Sequence, residues 1–233
     1  MIERAVMSAR VPALLAAGIF ALGAARAAAK TSENAPAVRV TSDAVWSPPE
    51  GFVAAMHRAC DARSGGDFGA CFVEEMRRAG ASEAAVAFAR RTGDQGYLKE
   101  FRTTGGPVDA GCAVYPFRAN ENAVCFLVNG APPMLDVDDP KFLDQGLLRR
   151  NPAYAGLLRA YPNLAVFPGP RAIDDGVDVH LLPEGGQFFR VNYVLVDGCH
   201  ACARVGVLRL DFDFDAAGRF AGTRVASVRG GLR

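Results

Sequence analysis

Six cysteines constrain this chain more than any other feature, because the residues before them are typical of a protein exported to an oxidising compartment. Residues 1–29 have the three parts of a cleavable export signal: a positive start, an apolar run at 11–24, and small residues ending at Ala27 or Ala29. The apolar run has 14 residues, whereas a helix that spans a bilayer needs roughly 20. We therefore expect a periplasmic or secreted protein, with cleavage after one of these two alanines.

Composition places the exported part of the chain among ordinary globular proteins. Cleavage at residue 29 leaves 204 residues (233 minus 29), and the chain is 50% hydrophobic and 22% charged. The whole chain has 26 basic and 25 acidic residues, and removal of three Arg and one Glu with the signal leaves 23 and 24 (26 minus 3, and 25 minus 1). A net charge near −1 gives no indication of a nucleic-acid-binding surface. No apolar stretch beyond the signal is long enough to span a membrane. We expect a soluble product with no nucleic-acid partner and no membrane span after signal removal.

Changes in residue pattern divide the chain into three segments. A polar, proline-containing linker or arm at 30–48 follows the signal, and a single disulfide-stapled domain occupies 49–233. The fold class that this order predicts is α+β, with N-terminal helices packed on a mainly C-terminal antiparallel sheet. Within the domain we expect a helical part, a mixed part and a β-meander, at 49–103, 104–163 and 164–229.

Apolar residues recur at helical spacing in the first part of the domain. Phe52, Met56 and Cys60 follow one another every four residues, which builds one apolar stripe. A second and a third helix should follow, and segment 97–101 is expected to form a short fourth one. The residues suited to cap the first three helices are Ser47, Asp67 and Ser82.

From residue 108 the pattern changes to that of β-strands. Segments 113–117 and 123–128 are short β runs, and the polar residues between them predict a turn. This turn is a candidate binding loop, although ordinary turn chemistry accounts for the same residue types. The candidate residues are Arg118, Asn120, Glu121 and Asn122.

The last third of the domain has the clearest pattern. Leu208, Leu210 and Phe212 alternate with charged residues, so one face of this strand should pack in the core and the other should face water. Turn sequences that contain glycine separate the neighbouring runs, which is typical of an antiparallel meander. The four predicted strands are 177–182, 188–196, 205–214 and 219–228.

Six cysteines in an exported chain predict disulfides, and local geometry favours two pairs. Cys60 lies in the last turn of the first predicted helix and Cys71 in the first turn of the second, so a bridge between them would clamp a helical hairpin. Cys199 and Cys202 stand at the two ends of a tight turn. Such a turn brings the two Cα atoms within about 7 Å, close to the spacing that a disulfide requires.

The third pair, Cys112 and Cys125, follows by elimination and agrees less well with the predicted turn. A four-residue turn at 119–122 places Cys125 opposite Pro116 and not opposite Cys112. The third disulfide therefore requires a different strand register.

The segment Cys199-His200-Ala201-Cys202 is the one motif in the chain that carries chemistry, and it has three interpretations. The first is a structural disulfide in a turn. The second is a thiol–disulfide redox site, but such pairs sit at a helix N-terminus, and the segment after Cys202 is predicted as a strand. The third is a metal site, but zinc needs two further ligands and no second CxxC is present.

The same segment also carries a resemblance to a known family. A strand, a Cys-bounded loop with a histidine two residues before the second cysteine, and two further strands resemble the periplasmic inhibitors of vertebrate-type lysozyme, over residues 187–228. In that family a disulfide-closed loop inserts its histidine into the lysozyme cleft. The resemblance implies that Cys199 and Cys202 close the loop and that His200 is the inserted residue. The loop here is two residues shorter than the loop of the family.

Motifs of known catalytic sites do not occur in the sequence, including G-x-S-x-G, H-E-x-x-H, phosphate loops and dinucleotide fingerprints. We therefore assign no catalytic residue, no cofactor and no metal site. The favoured function is non-enzymatic binding of a protein or a small ligand by an exported protein. The alternatives are a periplasmic thiol–disulfide redox protein that uses Cys199 and Cys202, and a lysozyme-inhibitor-like protein that presents His200.

Overall fold

Two antiparallel β-sheets and six α-helices are present among the residues that a computed structural model describes, 38–61, 67–118 and 122–231. These residues belong to one unit, Ala37–Arg233. The predicted export signal and the first residues of the predicted linker lie outside the described residues. The combination of helices with antiparallel sheets confirms the α+β fold class.

The first three helices bury the faces that their sequences predict. Phe52, Met56 and Cys60 of the first helix are all buried. Asp67 and Ser82 cap the second and third helices, because their side-chain oxygens accept hydrogen bonds from backbone amides at 2.9 and 3.0 Å. The helices are α1 (Phe52–Asp61), α2 (Phe68–Arg78) and α3 (Glu83–Arg91).

The first helix begins later than Ser47 predicts. Gly51 adopts a φ of +75°, which lies outside the helical range, and the Phe52 amide donates a hydrogen bond to the Pro49 carbonyl at 3.1 Å. This tight turn separates Ser47 from the helix. The prediction that Ser47 caps α1 is therefore wrong.

The segment predicted as a linker or arm belongs to the folded domain from residue 38. Val40, Ala44 and Trp46 are buried. The side chain of Asn129 accepts a hydrogen bond from the Val40 amide at 2.7 Å and donates one to the Val40 carbonyl at 2.8 Å. The domain boundary expected at residue 49 is too late, because the apolar residues scattered through this polar segment pack into the core.

The first sheet has four antiparallel strands in the order β1-β2-β3-β4. Segment 97–101, predicted as a helix, belongs to its first strand. Tertiary hydrogen bonds explain the error, because the segment pairs with β2 and the Leu98 carbonyl accepts the Trp46 amide at 2.9 Å. The strands are β1 (Tyr97–Arg102), β2 (Asp109–Val114), β3 (Ala123–Val128) and β4 (Met134–Asp136).

Short helices follow the first sheet in the chain. Asn151 separates two of them, and its side-chain oxygen caps the second by accepting the Ala153 amide at 3.0 Å. The helices are α4 (Gln145–Arg150), α5 (Pro152–Ala160) and α6 (Ile173–Gly176), and a 3-10 turn at Pro140–Phe142 precedes them.

The second sheet contains the predicted meander and one unexpected strand. β7, β8 and β9 are consecutive neighbours, while β5 and β6 pair with the two halves of β7. The unexpected strand is β5. The strands are β5 (Leu164–Pro168), β6 (Val177–Leu181), β7 (Gln187–Asp197), β8 (Arg204–Phe214) and β9 (Phe220–Gly230).

The first sheet lies between two apolar layers. On one face Cys112 and Leu127 share a core cluster with Val191 of the second sheet. On the other face Phe126 packs with Phe88 of α3. Because neighbouring residues of a strand point to opposite faces, the N-terminal helices and the second sheet pack on opposite sides of the first sheet.

Three disulfides are present among the described residues, and they join the three pairs that the sequence suggested. Cys60–Cys71 links α1 to α2 across a Cα–Cα distance of 5.8 Å. Cys199–Cys202 closes the turn between β7 and β8 across 5.0 Å. The first disulfide therefore connects two helices, whereas the second is confined to one turn.

The disulfide Cys112–Cys125 joins directly opposite residues of β2 and β3, with a Cα–Cα distance of 4.0 Å. The four-residue turn predicted at 119–122 is therefore wrong, since residues 115–122 connect the two strands. Pro116 lies in this connection and not in a strand, where its missing N–H would remove a ladder hydrogen bond.

Candidate functional site

The turn between β7 and β8 is the first candidate site, and it stands at the end of a long hairpin. Both strands have 11 residues, and their inward side chains, such as Tyr193 and Leu208, are fully buried. All residues from 197 to 204, by contrast, are exposed. The core therefore anchors the base of this hairpin, while its end is open to solvent.

Backbone hydrogen bonds and a disulfide fix the conformation of the turn. The Cys202 amide donates to the Cys199 carbonyl at 2.9 Å, and the Asp197 amide donates to the Ala203 carbonyl at 3.1 Å. Gly198 has a φ of +100°, which favours glycine at this position. The Cys199–Cys202 disulfide closes the same turn, so the loop has a defined shape before any partner binds.

His200 lies within the closed turn and contacts the neighbouring strand. Its ring packs edge-to-face on Phe167 of β5, with 5.2 Å between ring centroids and an interplanar angle of 89°. Since β5 pairs with the end of β7, the second sheet itself supports this contact. The position of the predicted residue is therefore set by two strands and not by the turn alone.

The surroundings of Cys199 and Cys202 are those of a strand-to-strand turn. Both residues are exposed, and β8 follows directly, so the turn has no helix N-terminus that would lower the pKa of a thiol. Among the described residues there is no group of three or more His, Cys, Asp or Glu side chains that could hold a metal ion.

The loop between β2 and β3 is the second candidate site. Asn120 and Glu121 lie outside the described residues, whereas Arg118 and Asn122 are described. The Arg118 guanidinium stacks over the Tyr115 ring at 3.7 Å from its centroid. The Asn122 carbonyl accepts the Tyr115 amide at 2.7 Å, which extends the β2–β3 pairing by one step.

Arg118 borders a pocket that the sequence did not predict. The pocket has a volume of about 370 Å³ and lies between the start of α2, the turn before β1 and the β2–β3 loop. Phe68 and Phe117 meet edge-to-face there, with 4.4 Å between ring centroids. The lining residues are Asp67, Phe68, Gly69, Gly93, Gln95, Phe117 and Arg118.

At the base of the β2–β3 loop, burial and the positive charge of Arg118 shift the pKa values of two side chains in opposite directions. Burial raises the pKa of the Tyr115 phenol to about 12, while the positive charge of Arg118 acts to lower it. Burial also raises the pKa of the Asp136 carboxyl, and Arg118 again opposes the shift. Arg118 therefore borders the pocket, and its charge also acts to lower the pKa values of Tyr115 and Asp136.

Comparisons of this chain with models of known protein families, with curated proteins and with solved structures found no match. No helix among the described residues is long and apolar enough to cross a membrane.

Proposed function

We propose that this chain is an exported, non-enzymatic binding protein that recognises a partner protein through the β7–β8 turn. The observation that supports this proposal is the run of exposed residues at 197–204, held at the end of a core-anchored hairpin. A loop that a disulfide and backbone hydrogen bonds already fix loses little conformational freedom when a partner binds. Such preorganisation favours recognition by shape.

Site-specific photo-crosslinking in the cells that make the protein tests this function. A photoreactive residue at Ala201 places the probe within the closed turn, and one at Glu184 places it in the exposed turn at the opposite end of β7. We expect a discrete covalent adduct from position 201 and none from position 184. Equal adducts from both positions, or none from either, would contradict recognition through this turn.

The resemblance to lysozyme inhibitors suggests a vertebrate-type lysozyme as the partner, and an inhibition assay tests this directly. A loop shorter by two residues loses up to about 7 Å of extended reach into a cleft. We therefore expect excess wild-type protein to leave a vertebrate-type lysozyme uninhibited. Stoichiometric inhibition that His200→Ala weakens more than tenfold would instead identify the partner as lysozyme.

The exposure of both Cys199 and Cys202 favours thiol–disulfide exchange as the second candidate function. In that reaction the disulfide would accept two electrons and two protons from a substrate dithiol, which would leave as a disulfide. The reverse exchange is measurable: dithiothreitol would reduce the Cys199–Cys202 pair, the resulting dithiol would pass two electrons and two protons to an insulin disulfide, and Cys199→Ser is the control. The binding proposal predicts no activity above that of the control.

A thiol titration separates the same two candidates in the exported protein. If all three disulfides are structural, protein produced through export and denatured without reductant should contain no titratable thiol. Two free thiols mapped to Cys199 and Cys202 would favour redox chemistry at the turn. Peptide mapping after alkylation identifies which cysteines react.

A further inference from the structure

The pocket beside Arg118 combines an apolar surface with groups of both charges. Its volume of about 370 Å³ falls within the range of about 300–1,000 Å³ that small-molecule sites occupy. Two phenylalanine rings, one cation, one carboxylate and one side-chain amide line it. These groups come from three separate elements, which is the usual construction of a binding site.

The aromatic side chains of the pocket pack on residues of the first two helices. Phe117 meets Phe68 at 4.4 Å, and it also packs edge-to-face on His57 at 5.0 Å and on Phe72 at 5.4 Å. Phe72 is fully buried in the helical core. The Phe117 ring is therefore fixed by α1 and α2, although it belongs to the β2–β3 loop.

Arg118 supplies the positive charge at the rim of the pocket. Its guanidinium carbon lies over the Tyr115 ring at 3.7 Å from the centroid, so a cation–π contact holds this side chain beside the pocket. Among the described residues no carboxylate forms an ion pair with it. Because a guanidinium binds a carboxylate through two parallel hydrogen bonds, Arg118 is suited to hold the acidic group of a ligand.

Asp67 supplies the negative charge of the pocket. Its Oδ1 accepts hydrogen bonds from the Gly69 and Ala70 amides at 2.9 and 3.3 Å, so two amides in the first turn of α2 already have a partner. The helix N-terminus therefore does not compete with Arg118 for an anion. A ligand ammonium can donate hydrogen bonds to two side-chain oxygens here, the second carboxylate oxygen of Asp67 and the amide oxygen of the Gln95 side chain.

We propose that this pocket binds a small zwitterion of the α-amino-acid type that carries an apolar or aromatic side chain. The ligand carboxylate pairs with Arg118, its ammonium group pairs with Asp67 and Gln95, and its side chain packs on Phe68 and Phe117. This pocket contains no residue of the β7–β8 turn. Its ligand can therefore be tested independently of the proposed protein partner.

Calorimetric titration of the full exported protein with L-phenylalanine tests the proposal. Phenylalanine amide lacks the carboxylate and N-acetylphenylalanine lacks the ammonium, so each analogue removes one half of the charge recognition. We expect wild-type protein to bind phenylalanine at least tenfold more tightly than either analogue. Equal binding of all three compounds, or no binding of phenylalanine at millimolar concentration, would overturn the proposal.

Two variants assign the charges to individual residues. Arg118→Gln should bind phenylalanine and its amide alike, because it loses only the carboxylate partner. Asp67→Asn keeps an oxygen that caps α2 but removes the negative charge, and it should bind phenylalanine and its N-acetyl derivative alike. Arg150→Gln, at an exposed position at the end of α4, is the matched control and should bind as wild type does. If either pocket variant retained the full tenfold preference, the assigned contact would be wrong.

Discussion

Gln187 shows how one buried polar side chain joins the two sheets. It begins β7 and is fully buried. Its Oε1 accepts a hydrogen bond from the Val108 amide at 3.0 Å, and its Nε2 donates one to the Val108 carbonyl at 2.8 Å. Since Val108 directly precedes β2, this side chain pairs with both backbone groups of the residue that leads into an inner strand of the first sheet.

Gln187→Ala should therefore destabilise the fold strongly. It leaves the Val108 amide buried without a partner, at about 1–3 kcal/mol, and it removes one of the two hydrogen bonds to the Val108 carbonyl, which keeps the one from the Thr104 hydroxyl. We expect the free energy of unfolding, measured in urea, to fall by roughly 2–4 kcal/mol, which combines the unsatisfied amide with the lost hydrogen bond. Asn192→Ala on the same strand is the control, because its Oδ1 has no partner among the described residues. Equal losses from the two variants would contradict this account.

The residues of the two candidate sites differ in how far the sequence identifies them. Cys199, His200 and Cys202 are adjacent in the chain, so a local motif is sufficient to locate them. Phe68 and Gln95 come from separate elements, and Phe68 fits the apolar stripe of a helix equally well. Only the tertiary structure brings these residues next to Arg118, and no local signal in the sequence could indicate the pocket.

At the level of elements, period-two burial is present in two strands that the sequence predicts clearly, β7 and β8, and absent from the two that it misses, β1 and β5. In β7 and β8 buried and partly exposed residues alternate over most of the length. In β5 every residue is partly buried, and in β1 the first two residues are both buried. The sequences of such strands do not alternate between apolar and polar residues, because helices, loops or a neighbouring sheet cover parts of both faces.

The two disulfides at element ends should contribute unequally to stability. The Cys60–Cys71 bridge closes a loop of 12 residues between two helices, for which chain entropy gives roughly 3 kcal/mol. The Cys199–Cys202 bridge closes four residues whose backbone hydrogen bonds already form the turn. We expect Cys60→Ala/Cys71→Ala to lower the Tm more than Cys199→Ala/Cys202→Ala does in thermal unfolding. The reverse order would show that the turn depends on its disulfide more than the helical pair does.

For the molecule as a whole, buried tyrosines in different layers share one electrostatic property. Burial raises the pKa of the phenols of Tyr97, Tyr115, Tyr154 and Tyr193 above the usual value. Tyr193 is fully buried between the sheet and the segment after β4, where its hydroxyl donates to the Val137 carbonyl. The folded state therefore holds these groups in their neutral form over a wider pH range than the unfolded chain does.

This property makes the stability of the fold sensitive to alkaline pH. The pKa of Tyr115 is about 12 in the folded protein, against about 10 in an unfolded chain. Between these values the unfolded chain binds fewer protons than the folded one, so the free energy of unfolding falls as the pH rises. The stabilisation is fully present below about pH 10 and is lost as the pH passes through about 12.

Tyr115→Phe should reduce that sensitivity, because phenylalanine cannot ionise. The variant loses one buried hydroxyl group, so near neutral pH its stability should lie within about 1 kcal/mol of that of wild type. Between about pH 10 and 12 its stability should decline less steeply, since one fewer buried phenol titrates on unfolding. Urea unfolding across this range, followed by circular dichroism and by phenolate absorbance, measures both effects. Parallel declines in the two proteins would show that Tyr115 ionises without unfolding the layer around it.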